Sequence, residues 1–175
     1  MTTIPVPLEF VLARSSLTWQ EVSFAIENQW LRPRDAIEIA TQRLAQPSPP
    51  HPLECELACR EPDEPVLETV RHLASIEPPQ DAADVAQKWM RLLLLWVYHC
   101  REHLENPLAL VEDIWCSFGH PAELNGFIRW MPAVDPVATM FRSVEENLRV
   151  LRLRWEHYMN ELDKEMLAKG QGPEV

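Results

Sequence analysis

"KWMRLLLLWVYHCREH", residues 88–103, is the stretch on which the fold turns. Trp89, Leu92, Leu93, Trp96 and Cys100 recur at helical spacing along one stripe, while Leu94, Leu95 and Val97 fill most of the remaining circumference. A helix that is apolar nearly all round is one that other helices surround. Its unbroken apolar core, residues 92–98, is far shorter than the roughly 18 residues of a membrane span. With Asp81 as N-cap, the helix is expected to run to about residue 104 and to form the centre of an all-α fold.

On the N-terminal side, Thr18-Trp19-Gln20-Glu21 reads as a capping box, in which a hydroxyl and a carboxylate each close a free backbone N–H. A helix is expected from there to about residue 30, with Trp19, Val22, Ile26 and Trp30 inward. Pro33 opens a second, to about residue 45, with Ile37, Ala40 and Leu44 inward, so the two make a helical hairpin. "QPSPPHP", residues 46–52, is a stiff connector. Helices over residues 53–60 and 64–76 follow, the latter with Leu67, Val70 and Leu73 or Ala74 inward.

Beyond the central stretch, Asn106-Pro107 opens a helix carrying Leu108, Val111, Ile114, Trp115 and Phe118, and Gly119 suits its left-handed terminator. A short helix is expected over residues 121–130. Asp135-Pro136 opens the last, to about residue 168, which spans roughly 50 Å at about 1.5 Å per residue. Met140, Phe141, Val144, Leu148, Leu151, Trp155, Tyr158 or Met159, and Leu162 hold the 3–4 spacing, so its first two-thirds should pack. Its charged end, "NELDKEMLAKGQGPEV", should fray or meet another subunit. The best strand candidate is "PLEFVLAR", residues 7–14, which also reads as helix. The expectation is a single-domain bundle of about seven helices over residues 1–168, built from successive hairpins, with a disordered tail at 169–175; a short solenoid is the alternative stacking.

The 175 residues are 46% hydrophobic, enough for a packed core. Their 27 acidic and 16 basic side chains leave a net charge of −11, which argues against nucleic acid and acidic lipid surfaces and selects a basic protein partner. From Glu54 to Asp84 nine acidic residues stand against two arginines, so most of the excess lies in one block. Four cysteines make no disulfide framework, and the first residues lack the basic and apolar regions of a secretory signal, so a cytoplasmic protein with reduced thiols is expected.

His99 and His103, four apart, would stack on one helix face, and Cys55 and Cys59 share that spacing; together they are candidate zinc ligands. The metalloprotease pattern is absent, because Cys100 stands where its glutamate belongs. No G-x-S-x-G occurs, and four scattered glycines cannot build a phosphate loop. Adjacent carboxylates such as Glu112-Asp113 and Glu145-Glu146 point to different helix faces. No catalytic residue and no cofactor are assigned. Trp30 and Trp130, each with an arginine nearby (Arg32, Arg129), are candidate partner anchors beside Glu54, Glu56, Glu61, Asp63, Glu64 and Glu68, because tryptophan and arginine dominate binding hot spots.

"LTWQEVSFAIENQWLRPRDAIEIA" (17–40) and "KWMRLLLLWVYHCREHLENPLALVEDIWCSFGHPAELNGFIRWMP" (88–132) resemble the bacterial family known as domain of unknown function 2247. The resemblance reaches to about Pro132 through caps, prolines and tryptophans, and it implies a small bacterial protein with no catalytic residue to carry over. The reading preferred from the sequence is a non-catalytic protein-binding module, of the immunity-protein type that neutralises a basic toxin domain. The alternatives are a metal-binding protein or metal-dependent hydrolase using His99 and His103 with the cysteines, and a subunit that self-assembles through its C-terminal helix.

Overall fold

The computed structural model describes residues 4–129 and 143–170, and it is all-α: no strand occurs among them. They divide into two compact units, Thr3–Trp89 and the residues from Met90 onward. The helices are α1 (Leu8–Leu12), α2 (Trp19–Glu27), α3 (Pro33–Leu44), α4 (Pro52–Ala58), α5 (Leu67–Ile76), α6 (Ala82–His99), α7 (Pro107–Ser117) and α8 (Val144–Gly170). Two 3-10 segments, Arg101–His103 and Ala122–Phe127, also occur among the described residues.

The local signals act as their chemistry requires. Thr18 and Glu21 close the expected box, the Thr18 N–H donating to Glu21 Oε2 at 2.9 Å and the Glu21 N–H to Thr18 Oγ1 at 3.2 Å. Pro33 and Pro52 occupy first turns, where a missing N–H costs nothing. Asp81 accepts from the Ala83 N–H and Asn106 from that of Ala109. Gly119 ends α7 at φ +74°, and His120 follows at +64° with its ring against Trp115.

In the first unit α2 packs on α5 and α3 on α4. Trp19, Val22, Ala25, Ala36, Ala40, Leu57, Val70 and Trp89 are buried there. Indole Nε1 of Trp89 donates to the Glu21 carbonyl at 3.0 Å. In the second unit every side chain from Leu92 to Leu95, with Val97, is buried, as a helix apolar all round demands. There α8 packs on the 122–127 segment, with Trp155, Met159, Leu162 and Met166 inward.

The structure settles the open reading at residues 7–14 and shifts several boundaries. Residues 8–12 of the strand candidate are the helix α1. Helix α6 stops at His99 rather than near residue 104, and the next residues wind as a 3-10 turn. The short helix expected over residues 121–130 is present as a 3-10 segment at Ala122–Phe127. Helix α8 begins at Val144, where Ser143 and Glu146 make a capping box: Glu146 Oε2 accepts the Ser143 N–H at 2.9 Å, and Ser143 Oγ accepts the Glu146 N–H at 3.1 Å; the expected opening at Asp135-Pro136 lies outside the described residues. Within the described residues α8 runs on to Gly170, and its buried stripe continues through Leu162 and Met166, while Val144 in the first turn is exposed. Leu44, expected inward, also lies exposed. Met140, Phe141 and the tail at 171–175 lie outside the described residues.

Candidate functional site

The acidic block splits into two populations within the first unit. Glu54, on the first turn of α4, is only 8% exposed and faces inward. Its Oε1 accepts from Trp19 Nε1 at 2.8 Å and from Arg43 Nη1 at 3.0 Å, and its Oε2 accepts the His51 N–H at 2.9 Å. Burial pushes its carboxyl up, but these hydrogen bonds and the Arg43 charge outweigh burial and hold it below the ordinary carboxylate range. The Arg43 guanidinium lies 4.6 Å from the Trp19 ring centroid, donates to the Leu17 carbonyl at 2.6 Å and pairs with Glu77 at 3.6 Å. One carboxylate thus ties α2, α3 and α4 together, and Glu54 is no part of an exposed acidic face.

The second population is the wall "EPDEPVLE", residues 61–68. Two prolines stiffen it, the Glu64 N–H closes a turn on the Glu61 carbonyl at 3.1 Å, and buried Val66 anchors it. Arg60 braces it from behind, donating to the Pro65 carbonyl and, at 2.7 Å, to Glu56. Glu61, Asp63, Glu64 and Glu68 stand exposed, and among the described residues no cation pairs with their carboxylates. Glu56 is exposed but spent on Arg60.

Two grooves border this wall. One, of about 460 Å³, is lined by Ile26, Pro33, Pro65, Val66 and Leu67 with Asp63 and Glu64 on its edge. The other, of about 710 Å³, runs between the Pro5–Glu9 stretch and Ile37, Glu38 and Thr41 of α3. Both include Arg32, Arg34 and Pro62. The arginines flank Pro33 in "LRPRD", where Arg32 follows the buried Trp30 by two residues.

Of the tryptophan anchors, Trp30 is buried, edge-on to Phe24 at 5.4 Å and tilted against Trp89 at 5.8 Å. A side chain so enclosed packs the core. Trp130 lies outside the described residues, and Arg129 beside it clamps Glu112 through Nε and Nη2 at 2.9 and 2.8 Å. Those hydrogen bonds hold the Glu112 carboxyl below its ordinary range and raise the Arg129 guanidinium.

The metal candidates are not assembled. His99 closes α6 and stacks on Trp96, whereas His103 sits in the following 3-10 turn, so the two do not share a helix face. Cys55 on α4 and Cys59 just past its end are exposed in the other unit. Among the described residues no group of three His, Cys, Asp or Glu side chains could hold a metal ion. Burial raises the Cys100 thiol, which disfavours a ligating thiolate.

In the second unit Tyr158 donates to Glu123 Oε2 at 3.1 Å, and Arg91 lies 3.8 Å from Glu123 and from Glu165. Burial, with the Glu123 charge beside it, pushes the Tyr158 phenol up to about 12, so it stays a donor near neutrality and cannot serve as a base. Among the described residues no helix is long and apolar enough to cross a membrane.

Residues 8–162 match the family model described as "Uncharacterized protein conserved in bacteria (DUF2247)". No curated protein and no solved structure matches the chain.

Proposed function

We propose, from the premise that the chain belongs to the bacterial family of domain of unknown function 2247, that it is a non-catalytic protein-binding module. Its partner-facing element is the wall of residues 61–68, and the partner it suits is basic. The observation that carries this reading is the unneutralised state of Glu61, Asp63, Glu64 and Glu68 on a stretch stiffened by two prolines and braced by Arg60. Rigid presentation lowers the ordering cost of binding, and exposed charge of one sign accelerates encounter with a partner of the other.

The finer reading is an immunity protein that covers the basic active site of a toxin domain. Its support is the sign of the charge together with the lack of a catalytic signature in the sequence. A self-assembling subunit draws less support: Val144 and Leu153, the large exposed apolar side chains of α8, are nine residues apart and so lie on opposite helix faces.

The test begins with capture of the partner on the tagged full-length chain and its identification by mass spectrometry. Association kinetics are then compared for the native chain and the triple variant Glu61→Lys, Asp63→Lys, Glu64→Lys. The variant should associate about tenfold more slowly at low salt and lose most of its salt dependence. Unchanged kinetics, or a partner with no basic surface, would overturn the assignment.

A further inference from the structure

The first unit has seven basic side chains, and five of them are engaged. Arg14 lies over the Phe10 ring at 3.8 Å, Arg43 binds Glu54, Arg60 binds Glu56, Arg71 binds Glu27 at 2.8 Å and Lys88 binds Glu21 at 2.8 Å. Arg32 and Arg34 are the exceptions: both are exposed, and among the described residues neither guanidinium has an ion-pair or hydrogen-bond partner. In a unit so rich in carboxylates, two unpaired guanidinium groups on either side of one proline call for an explanation. The backbone supplies part of it. Asp35, the nearest acid in sequence, is turned back to accept the Arg32 N–H at 2.7 Å and closes the start of α3.

The two arginines, with Pro62, are the residues that the linings of the two grooves share. One groove leads away along Ile26, Val66 and Leu67, the other along Pro5, Pro7 and Ile37. Two grooves that meet at shared lining residues suit an extended chain better than a compact small molecule. Their charges are ordered: cations at the junction, Asp63 and Glu64 along one arm, Glu9 and Glu38 along the other.

We infer that the two grooves form one docking site for an extended peptide segment of a protein partner, whose central carboxylate is held by Arg32 and Arg34 between apolar side chains and whose ends are neutral or basic. Guanidinium matches carboxylate with two parallel N–H donors, and Pro33 fixes the backbone between the two arginines. The apolar lining adds contact area but no sign preference, so the carboxylate is the feature that sets register. The inference goes beyond the acidic wall, since it assigns a negatively charged group to the partner as well.

The test uses two synthetic peptides on the full chain, acetyl-Lys-Leu-Glu-Leu-Lys-amide and the same peptide with glutamine in place of glutamate, with arginine Nε–Hε resonances and titration calorimetry as readouts. The glutamate peptide should bind at least about fivefold more tightly, the scale of one charge-assisted contact at an exposed site, and should move the Arg32 and Arg34 resonances ahead of other arginines. In the double variant Arg32→Gln, Arg34→Gln the difference between the peptides should vanish. The variant's melting should be unchanged, because these side chains hold nothing in the fold. Equal binding of the two peptides, or a difference that survives in the variant, overturns the inference. Tight but equal binding would leave the acidic wall as the binding element while removing the arginines from it.

Discussion

Glu54 and Glu64 lie ten residues apart in one acidic stretch, and the molecule puts them to opposite uses. Glu54 has every strong partner a carboxylate can ask for: an indole N–H, a guanidinium and a backbone N–H. Glu64 has none among the described residues and faces water. The difference is not in the residue but in what reaches it. Three elements converge on Glu54, whereas Asp63 and Glu64 stand exposed between two prolines. Charge that is satisfied internally belongs to the fold, and charge left unsatisfied at the surface is available to a partner.

Removing the buried carboxylate gives the sharpest form of this contrast. Glu54→Ala strands the Arg43 guanidinium and the Trp19 N–H in a mostly dry site, and should cost about 3 kcal/mol in urea unfolding. Glu54→Gln keeps an acceptor for Trp19 but not the charge for Arg43, and should cost about half as much. A loss below about 1 kcal/mol for the alanine variant would place Glu54 with the wall after all.

A second pair of substitutions extends the comparison to the other unit. Trp19 and Trp155 are both buried, but Trp19 Nε1 is bonded to Glu54 while Trp155 Nε1 has no acceptor among the described residues. Trp19→Phe loses volume and a hydrogen bond and leaves Glu54 short of a donor, for about 2 kcal/mol. Trp155→Phe loses volume but relieves an unpaired buried donor, so it should cost no more than about 1 kcal/mol. Chemical denaturation of the two variants side by side checks the order, and a reversal would mean that packing, not polar satisfaction, ranks these sites.

How much of this was legible in the sequence follows from distance along the chain. The box of Thr18 and Glu21, the proline openings and the all-round apolarity of residues 89–97 are local, and each structural consequence falls where its residues stand. The role of Glu54 is not local. Its partners Trp19 and Arg43 are 35 and 11 residues away, and neighbouring Glu56, identical in type, remains exposed. Nothing in the spacing separates the two. For α8, Ser143-x-x-Glu146 is a local start signature that competes in the sequence with Asp135-Pro136 upstream. Around Arg32 and Arg34 the local signal is the Pro33 helix opening and the neighbouring Trp30, and only the fold brings Pro62 and the wall into one lining with them.

Acidity tests the same division at smaller amplitude. The Glu54 carboxyl titrates lower in the folded chain than in the unfolded one, so its contribution is complete above the ordinary glutamate value of about 4.3 and fades as pH falls through the folded value. Glu112, held down by Arg129, acts in the same direction and window. Glu54→Gln should therefore flatten the loss of stability below about pH 4.3, and Glu112→Gln should flatten it further. Thermal melts from pH 3 to pH 6 measure both, and an acid limb as steep in the Glu54→Gln variant as in the native chain would deny Glu54 its role.

The smallest expected effect is the most telling about the wall. Glu64→Ala removes a side chain with no partner to strand, on backbone that the prolines and Arg60 hold by other means. Its unfolding free energy should stay within about 0.5 kcal/mol of the native chain, as for surface positions free of specific contacts. The sign should be slightly favourable, because Glu61, Asp63 and Glu68 crowd like charge near it and one fewer eases that repulsion. Added salt screens the same repulsion, so any gain should shrink at high ionic strength. Urea unfolding at low and high salt reads both quantities. A loss above about 1 kcal/mol would mean that Glu64 holds the fold as Glu54 does. The distinction between structural and partner-facing charge would then fail at its best-exposed member.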